Sequence, residues 1–301
     1  MMLTSETVGA EFTRPCRRAA DFVLLMKPRI VMMVLLTTFA GFYLGVRGTP
    51  DYAVLLQVLT GTALAAGGTL ALNQFLERDV DARMVRTRLR PLPAGRLQPT
   101  EALLFGLLIL VTGLLYLAIS VNVLSSVVAA VIVGSYLFLY TPLKRRTAFC
   151  TVVGAVPGAL PPVIGWAAAT GRLGIEAGVL FAIMFLWQLP HTLAIAMLYK
   201  DDYKRAGIRL LPMVDPDDKL TGYQIVGDCL VLLIVSLLPS LIGFAGPVYF
   251  VAALALGIGL LGCACAFTLW RSRTDVRRLV LASLVYLPAL LLLMVLNRVP
   301  F

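Results

Sequence analysis

The chain is 301 residues long, 59% hydrophobic and only 14% charged, with a mean hydropathy of +0.90 and a formal net charge of +10. Soluble domains are roughly 45–50% apolar and about 25% charged, so a water-soluble multi-domain protein is excluded and lipid must solvate much of the surface. The five cysteines, Cys16, Cys150, Cys229, Cys263 and Cys265, have no zinc-type spacing and sit mostly in apolar runs, which points to packing and to no disulfide framework. In chain order, Arg14, Arg17 and Arg18 come first, ahead of an apolar segment with no small-residue cleavage site, so that segment is expected to be retained. Nine stretches then reach the length of about 20 apolar residues that a bilayer span requires: 29–46, 52–76, 102–120, 122–140, 148–169, 177–198, 220–243, 247–269 and 279–297.

The connections alternate between basic and nearly uncharged. Of the 26 Lys and Arg, all but Arg47, Arg172 and Arg298 fall in the N-terminal segment or in the intervals after spans two, four, six and eight. By the positive-inside rule those intervals are cytoplasmic. The expected protein is therefore an all-α membrane protein, a nine-transmembrane-helix bundle with the N-terminus cytoplasmic. It divides into a cytoplasmic segment 1–28, one transmembrane domain 29–297 and a short outside C-terminus 298–301. Topology and anionic headgroups account for the +10 charge, so the lipid bilayer is the expected partner and nucleic acid is not.

Where span two meets the basic side, Asn73, Glu77 and Asp81 are spaced i, i+4, i+8. On a helix they cover an arc of about 80° and stack roughly 6 Å apart, while Asp79 points to nearly the opposite side. A stripe of one amide and two carboxylates suits a hard cation such as Mg²⁺, which takes one or two carboxylates together with substrate phosphates. The spacing alone also fits a solvated helix end whose acids offset nearby arginines. Those arginines, Arg83, Arg86, Arg88 and Arg90, are phosphate-gripping residues by chemistry. Together with the acids they look self-neutralising until a Mg²⁺–diphosphate is placed between them. Asp201 and Asp202, after span six, belong to the same membrane face and could hold a pyrophosphate from the other side. Asp215, Asp217 and Asp218 flank prolines and read as a solvated loop.

Asn73-x-x-x-Glu77-x-x-x-Asp81 resembles the first aspartate-rich motif of the UbiA superfamily of intramembrane prenyltransferases, and glutamate in the middle is similar to its haem-farnesylating branch. Similar stretches are Lys27-Pro-Arg29-Ile, Met84 to Leu92, Tyr140 to Thr147, Gly154 to Gly165, Trp187-Gln-Leu-Pro-His191 and Lys200 to Gly207, in the family's order. The resemblance implies a central cavity open to lipid, with both acidic sites at its cytoplasmic mouth, in a multi-pass protein of the cell inner (plasma) membrane. It implies Mg²⁺, farnesyl diphosphate and haem B, with hydroxyethylfarnesyl haem as product and a haem A synthase as a partner able to take it. Carried over by residue, Asn73, Glu77 and Asp81 would bind one Mg²⁺–diphosphate and Asp201 and Asp202 a second. Tyr140 and Lys144, with Arg86 and Arg90, would contact the diphosphate. One departure stands out: the superfamily's second motif is Asp-x-x-x-Asp, whereas Asp201 and Asp202 are adjacent.

His191, the single histidine, lies about two turns inside the end of span six, after Pro190. It reads either as an axial ligand of substrate haem or as a hydrogen-bonding partner of carbonyls freed by the proline. Gly154 to Pro162 reads as a kinked packing helix or as the wall of a cavity for a planar ligand. Two rival functions are a related prenyltransferase with a quinone-precursor acceptor and a secondary transporter. The gathering of charge at one face and the lack of a repeat speak against the latter.

Overall fold

The computed structural model describes residues 15–299. Arg14 and the final two residues lie outside that range, as do the side chains of Cys16 and Arg17. Among the described residues nine helices are long and apolar enough to cross a membrane. A short helix α1 (Pro15–Leu25) precedes them. The spans are α2 (Pro28–Gly45), α3 (Tyr52–Asp81), α4 (Pro99–Ser120), α5 (Val123–Leu143), α6 (Cys150–Thr170) and α7 (Ile175–Leu198). After the short α8 (Lys200–Arg205) come α9 (Lys219–Leu241), α10 (Pro247–Trp270) and α11 (Arg273–Leu296). The protein is thus a multi-pass, all-α membrane bundle.

Local chemistry explains the helix ends. Pro28, Pro99 and Pro247 occupy first-turn positions, where a missing N–H costs nothing. Asp51 accepts from the amides of Ala53 and Val54 at 2.9 and 3.2 Å, Asn122 from that of Ser125 at 2.8 Å, and Ser272 from that of Asp275 at 3.1 Å. At the far end of the bundle, Arg298 donates to the carbonyls of Tyr43 and Val46, closing the C-terminus of α2.

Burial separates an inner from an outer set of helices. The apolar windows of α3, α6 and α7 are 50%, 56% and 50% buried, against 28% for α4, α5 and α10, whose remaining faces present residues such as Leu104, Leu108 and Ile119 to lipid. Lipid tails supply no hydrophobic drive between helices, so association depends on close packing of small residues. Gly41 and Gly165 bring α2 and α6 together: a Cβ on Gly165 would sit 1.9 Å from the Thr38 carbonyl oxygen, and one on Gly41 1.9 Å from that of Pro162. Gly68 and Gly113 do the same for α3 against α4, with clashes of 2.6 and 2.4 Å against Leu110 and Ala65 backbone nitrogens.

The expected spans appear with informative extensions. Span two runs unbroken to Asp81, so the acidic stripe belongs to the membrane helix itself rather than to a loop. Span nine begins at Arg273, six residues earlier than its apolar run. Span four ends in a π-helical turn over Ser135–Tyr140, and span five breaks at Leu160 before Pro161-Pro162. The segment before span one contains α1, tied down by Arg96 to Asp21 at 2.9 Å. Cys150, Cys229, Cys263 and Cys265 are all free thiols.

Gly165→Ala should therefore lower the thermal unfolding temperature in detergent, by the equivalent of about 1–3 kcal/mol for overpacking. Gly178→Ala, whose added Cβ meets nothing within 4 Å, should not lower it.

Candidate active site

The stripe at the end of α3 is buried: Asn73 and Asp81 are 1% exposed and Glu77 6%. Asp79, on the opposite side, has a side chain 82% exposed, as the helical spacing requires. Each buried group meets a cationic or polar partner from another element. Glu77 pairs with Lys144, which follows α5. Asp81 pairs with Arg90 at 2.6 Å, and the Thr87 hydroxyl donates to the Asp81 carbonyl at 2.8 Å, so the arginine loop folds back over the helix end. Asn73 accepts from Lys27 Nζ at 3.0 Å and the Tyr136 hydroxyl at 3.4 Å, and donates to Thr141 Oγ1 at 3.3 Å.

Lys27, Tyr136 and Thr141 had no site role from the sequence. Lys27 opened the family-like stretch Lys27-Pro-Arg29-Ile and counted among the basic residues of the N-terminal segment, without a role of its own. The turn between α1 and α2 delivers it in a left-handed conformation, φ 51°. Gln74, one position beyond Asn73, donates to the Leu24 and Leu25 carbonyls at 3.2 and 2.8 Å and locks α1 against α3. Burial, with Arg90 nearby, pulls the Lys27 ammonium down to about 8. Tyr136 lies four residues before Tyr140, in the π-helical turn, and their ring centroids are 5.5 Å apart. Such turns recur at functional sites because they re-aim side chains within a helix.

The second acidic segment is on the same end of the molecule. Val80 and Met84 share a buried cluster with Cys150, Ala206, Ile208 and Leu210, against which Tyr140 and Tyr203 pack. The Arg209 amide donates to the Lys144 carbonyl at 2.9 Å. Arg86 bridges the two segments: its guanidinium lies 4.9 Å from the Tyr199 ring and 5.7 Å from the Tyr203 ring and donates to the Tyr203 hydroxyl at 3.4 Å. Of the acidic residues on α8, Asp202 pairs with Arg205 and Asp201 is exposed. The later aspartates are not a uniform solvated loop. Asp215 is 9% exposed and accepts from both the amide and hydroxyl of Thr221 at 2.8 Å, while Asp218 holds Lys200 at 2.5 Å. Only Asp217 of the three matches the expectation, with a side chain 71% exposed.

Behind the stripe lies a cavity of about 400 Å³ lined by α2, α3, α5, α6 and α7. Tyr136 and Tyr140 form its wall nearest the acidic residues, and Val34, Ala66, Ala129 and Ile164 give it an apolar interior. Gly154 and Gly158 both face it. A Cβ on Gly154 would lie 2.5 Å from the Tyr140 ring, and one on Gly158 1.9 Å from Gln188 Oε1. These glycines thus serve the cavity wall by making room for Tyr140 and Gln188.

The segment Trp187 to His191 divides between two faces of α7. Gln188, followed one turn later by Thr192, faces the cavity. Trp187 and His191 stack with centroids 4.7 Å apart and turn toward α11, where Trp187 Nε1 donates to the Ser283 carbonyl at 2.8 Å. His191 Nδ1 is 2.7 Å from Ser283 Oγ, so its partner is a serine on another span rather than a carbonyl freed by Pro190.

Buried carboxylates and cations thus stand at the mouth of an apolar cavity in a multi-pass helical bundle. Residues 34–293 match the UbiA prenyltransferase family, and the chain belongs to it; it is a prenyltransferase. Among its relatives is the protoheme IX farnesyltransferase of Solibacter usitatus, 46% identical over 287 residues, covering 92% of this chain and 98% of that one. That of Koribacter versatilis is 42% identical over 92% and 93%. The fold is that of solved family members. A digeranylgeranylglyceryl phosphate synthase superposes with a TM-score of 0.79 at 16% identity, over 93% of this chain and 98% of its own. A UbiA homologue from Archaeoglobus fulgidus bound to GPP and Mg²⁺ gives 0.64 at 17%, over 91% and 99%.

Lys144→Met should leave the Glu77 carboxylate buried without its cation, a loss of about 3–5 kcal/mol for breaking such a pair. Thermal unfolding of the purified variant should fall accordingly.

Proposed function

We propose that this prenyltransferase moves the farnesyl group of farnesyl diphosphate onto a vinyl group of haem B, with Mg²⁺ as the metal and the acidic stripe on the cytoplasmic side of the membrane. The carrying observation is the likeness, along almost the whole of both chains, to relatives named protoheme IX farnesyltransferase. The distribution of Lys and Arg supports the orientation.

The stripe fits Mg²⁺ by its chemistry. Asn73, Glu77 and Asp81 offer one amide and two carboxylate groups from one helix face. A hard cation that keeps waters and takes phosphate oxygens suits so sparse a set. When bound, the ion neutralises charge on the leaving diphosphate. Lys27, Arg90 and Lys144 lie against the three stripe residues and would turn to phosphate oxygens as negative charge grows on them. Tyr140, beside Lys144, would donate to the same group. Asp201 and Asp202 would serve a second Mg²⁺ on the far side of the diphosphate, with Arg86 between the segments, although their adjacency departs from the spaced pair of the superfamily. The apolar cavity would hold the isoprenoid tail and keep bulk water from the ionising carbon. The vinyl π electrons then form the new bond as the carbon–oxygen bond to diphosphate breaks.

His191 would be the axial ligand of haem, from the face of α7 that turns to α11 rather than from the one lining the cavity. Ser283 Oγ donates to the Val280 carbonyl at 2.8 Å, so it accepts from His191 Nδ1–H. That tautomer leaves the Nε2 lone pair as the one suited to iron, and an oriented Nδ1–H is the usual support of a metal-binding imidazole.

Two experiments test this reading. Glu77→Ala should insert normally and lose prenyl transfer by at least about 10²-fold, assayed as farnesylated haem by mass spectrometry; normal product from a well-folded variant would defeat the metal assignment. His191→Ala should change the absorption spectrum of bound haem, and an identical spectrum would remove the iron-ligand role.

A further inference from the structure

The proposed transfer ends in a hydroxylated side chain, which requires one water molecule at one carbon inside an otherwise apolar cavity. We propose that the side-chain carbonyl oxygen of Gln188 holds and aims that water. The inference rests on haem being the acceptor, as argued above.

Both sides of the Gln188 amide are accounted for. Its Nε2 donates to the carbonyls of Met184 at 3.0 Å and Ala155 at 3.3 Å, so its hydrogens are spent on two helices and its orientation is determined. Oε1 is left as an acceptor on the wall of the cavity. Gly158, which also lines the cavity, makes room for the oxygen itself: a Cβ there would lie 1.9 Å from it. An amide oxygen with its own N–H groups engaged accepts from water and leaves the water's lone pair free to attack. Around it the wall is mainly apolar, with Thr192 one turn along α7 and Thr151 on α6 as the nearby hydroxyl-bearing residues of those helices.

Its depth suits the reaction. Gly154 accommodates Tyr140, and Gly158, one helical turn farther along α6, accommodates Gln188. A turn advances about 5.4 Å. The Tyr140 ring stands beside Lys144 and so beside the proposed diphosphate site. Farnesyl C1 bonds to the terminal vinyl carbon, and the positive charge then falls on the inner vinyl carbon, a bond farther from the diphosphate. Water held by Gln188 is placed on that side of the reacting atoms.

The step balances. The vinyl π pair forms the carbon–carbon bond, the diphosphate leaves with the pair of its carbon–oxygen bond, and a water lone pair bonds to the cationic inner carbon. The proton released from that water goes to a diphosphate oxygen. Without an aimed water the same cation loses a proton from its neighbouring carbon and gives an alkene lighter by one water. Gln188 is therefore a positioning residue whose signature is the ratio of two products rather than a rate.

The test uses full-length protein in detergent with haem B, farnesyl diphosphate and Mg²⁺ in ¹⁸O-labelled water, with products separated by mass. Wild type should give hydroxylated product carrying one ¹⁸O. Gln188→Leu should continue to release pyrophosphate while the alkene-to-alcohol ratio rises by about tenfold or more, as loss of one hydrogen bond to the attacking water implies. Gly158→Ala, whose Cβ would displace the same oxygen, should shift the ratio the same way. A wild-type ratio in either Gln188→Leu or Gly158→Ala, at any rate of turnover, overturns the assignment while leaving haem farnesylation standing. Absence of farnesylated haem from the wild type removes the proposed function, and this inference with it.

Discussion

The structure depends on a charge problem: two carboxylates and an amide are buried on one face of a membrane helix, beside an apolar cavity. A buried carboxylate without a counter-charge is expensive, so cations have to arrive from elsewhere in the chain. They come from three places. Lys27 comes from the turn before α2, Arg90 from the loop after α3, and Lys144 from the end of α5. Each cation thereby ties a separate segment to α3, and the site becomes the point at which the rim of the bundle is assembled. The same charges suit a metal-bound diphosphate, because exchanging side-chain pairs for ligand pairs keeps positive and negative matched.

The scaffold beneath that rim follows different physics. In lipid, helices gain little from hiding apolar surface, and backbone approach at Gly41, Gly165, Gly68 and Gly113 sets the arrangement of α2, α3, α4 and α6. The cavity survives within this close packing because α6 carries glycines and prolines where bulk would fill it, and because α5 ends in a π-helical turn that directs Tyr136 and Tyr140 inward. Small residues thus do two jobs, drawing helices together in one place and leaving room for side chains in another.

The sequence was most legible where the signal is local. Nine spans follow from apolar length, and Asn73, Glu77 and Asp81 share a face because their spacing is that of a helix. What escaped the sequence reading arises between elements. Lys27 opens a family-like stretch but gains a partner only when Gln74 is seen to clamp α1 and aim it at Asn73. Arg86 could equally have faced the acidic stripe, but two tyrosines on and beside α8 offer it ring faces. Asp215 and Asp218 looked like loop residues because their partners, Thr221 and Lys200, lie across a turn whose path no periodicity reports. Trp187 to His191 reads as one motif along the chain, yet helical geometry deals its members to opposite neighbours.

On the proposed reading, the clamp on α1 would link diphosphate binding to the helix that precedes the first span. Lys27 has no cap or loop of its own to hold it; its position is inherited from Leu24 and Leu25, gripped by Gln74, and from Asp21, gripped by Arg96. Whatever pulled α1 away from α3, such as a bulky fusion or a tightly bound protein, would withdraw an ammonium from beside Asn73. The N-terminal strip would then act as a dial on diphosphate capture, leaving the chemistry of the captured complex intact.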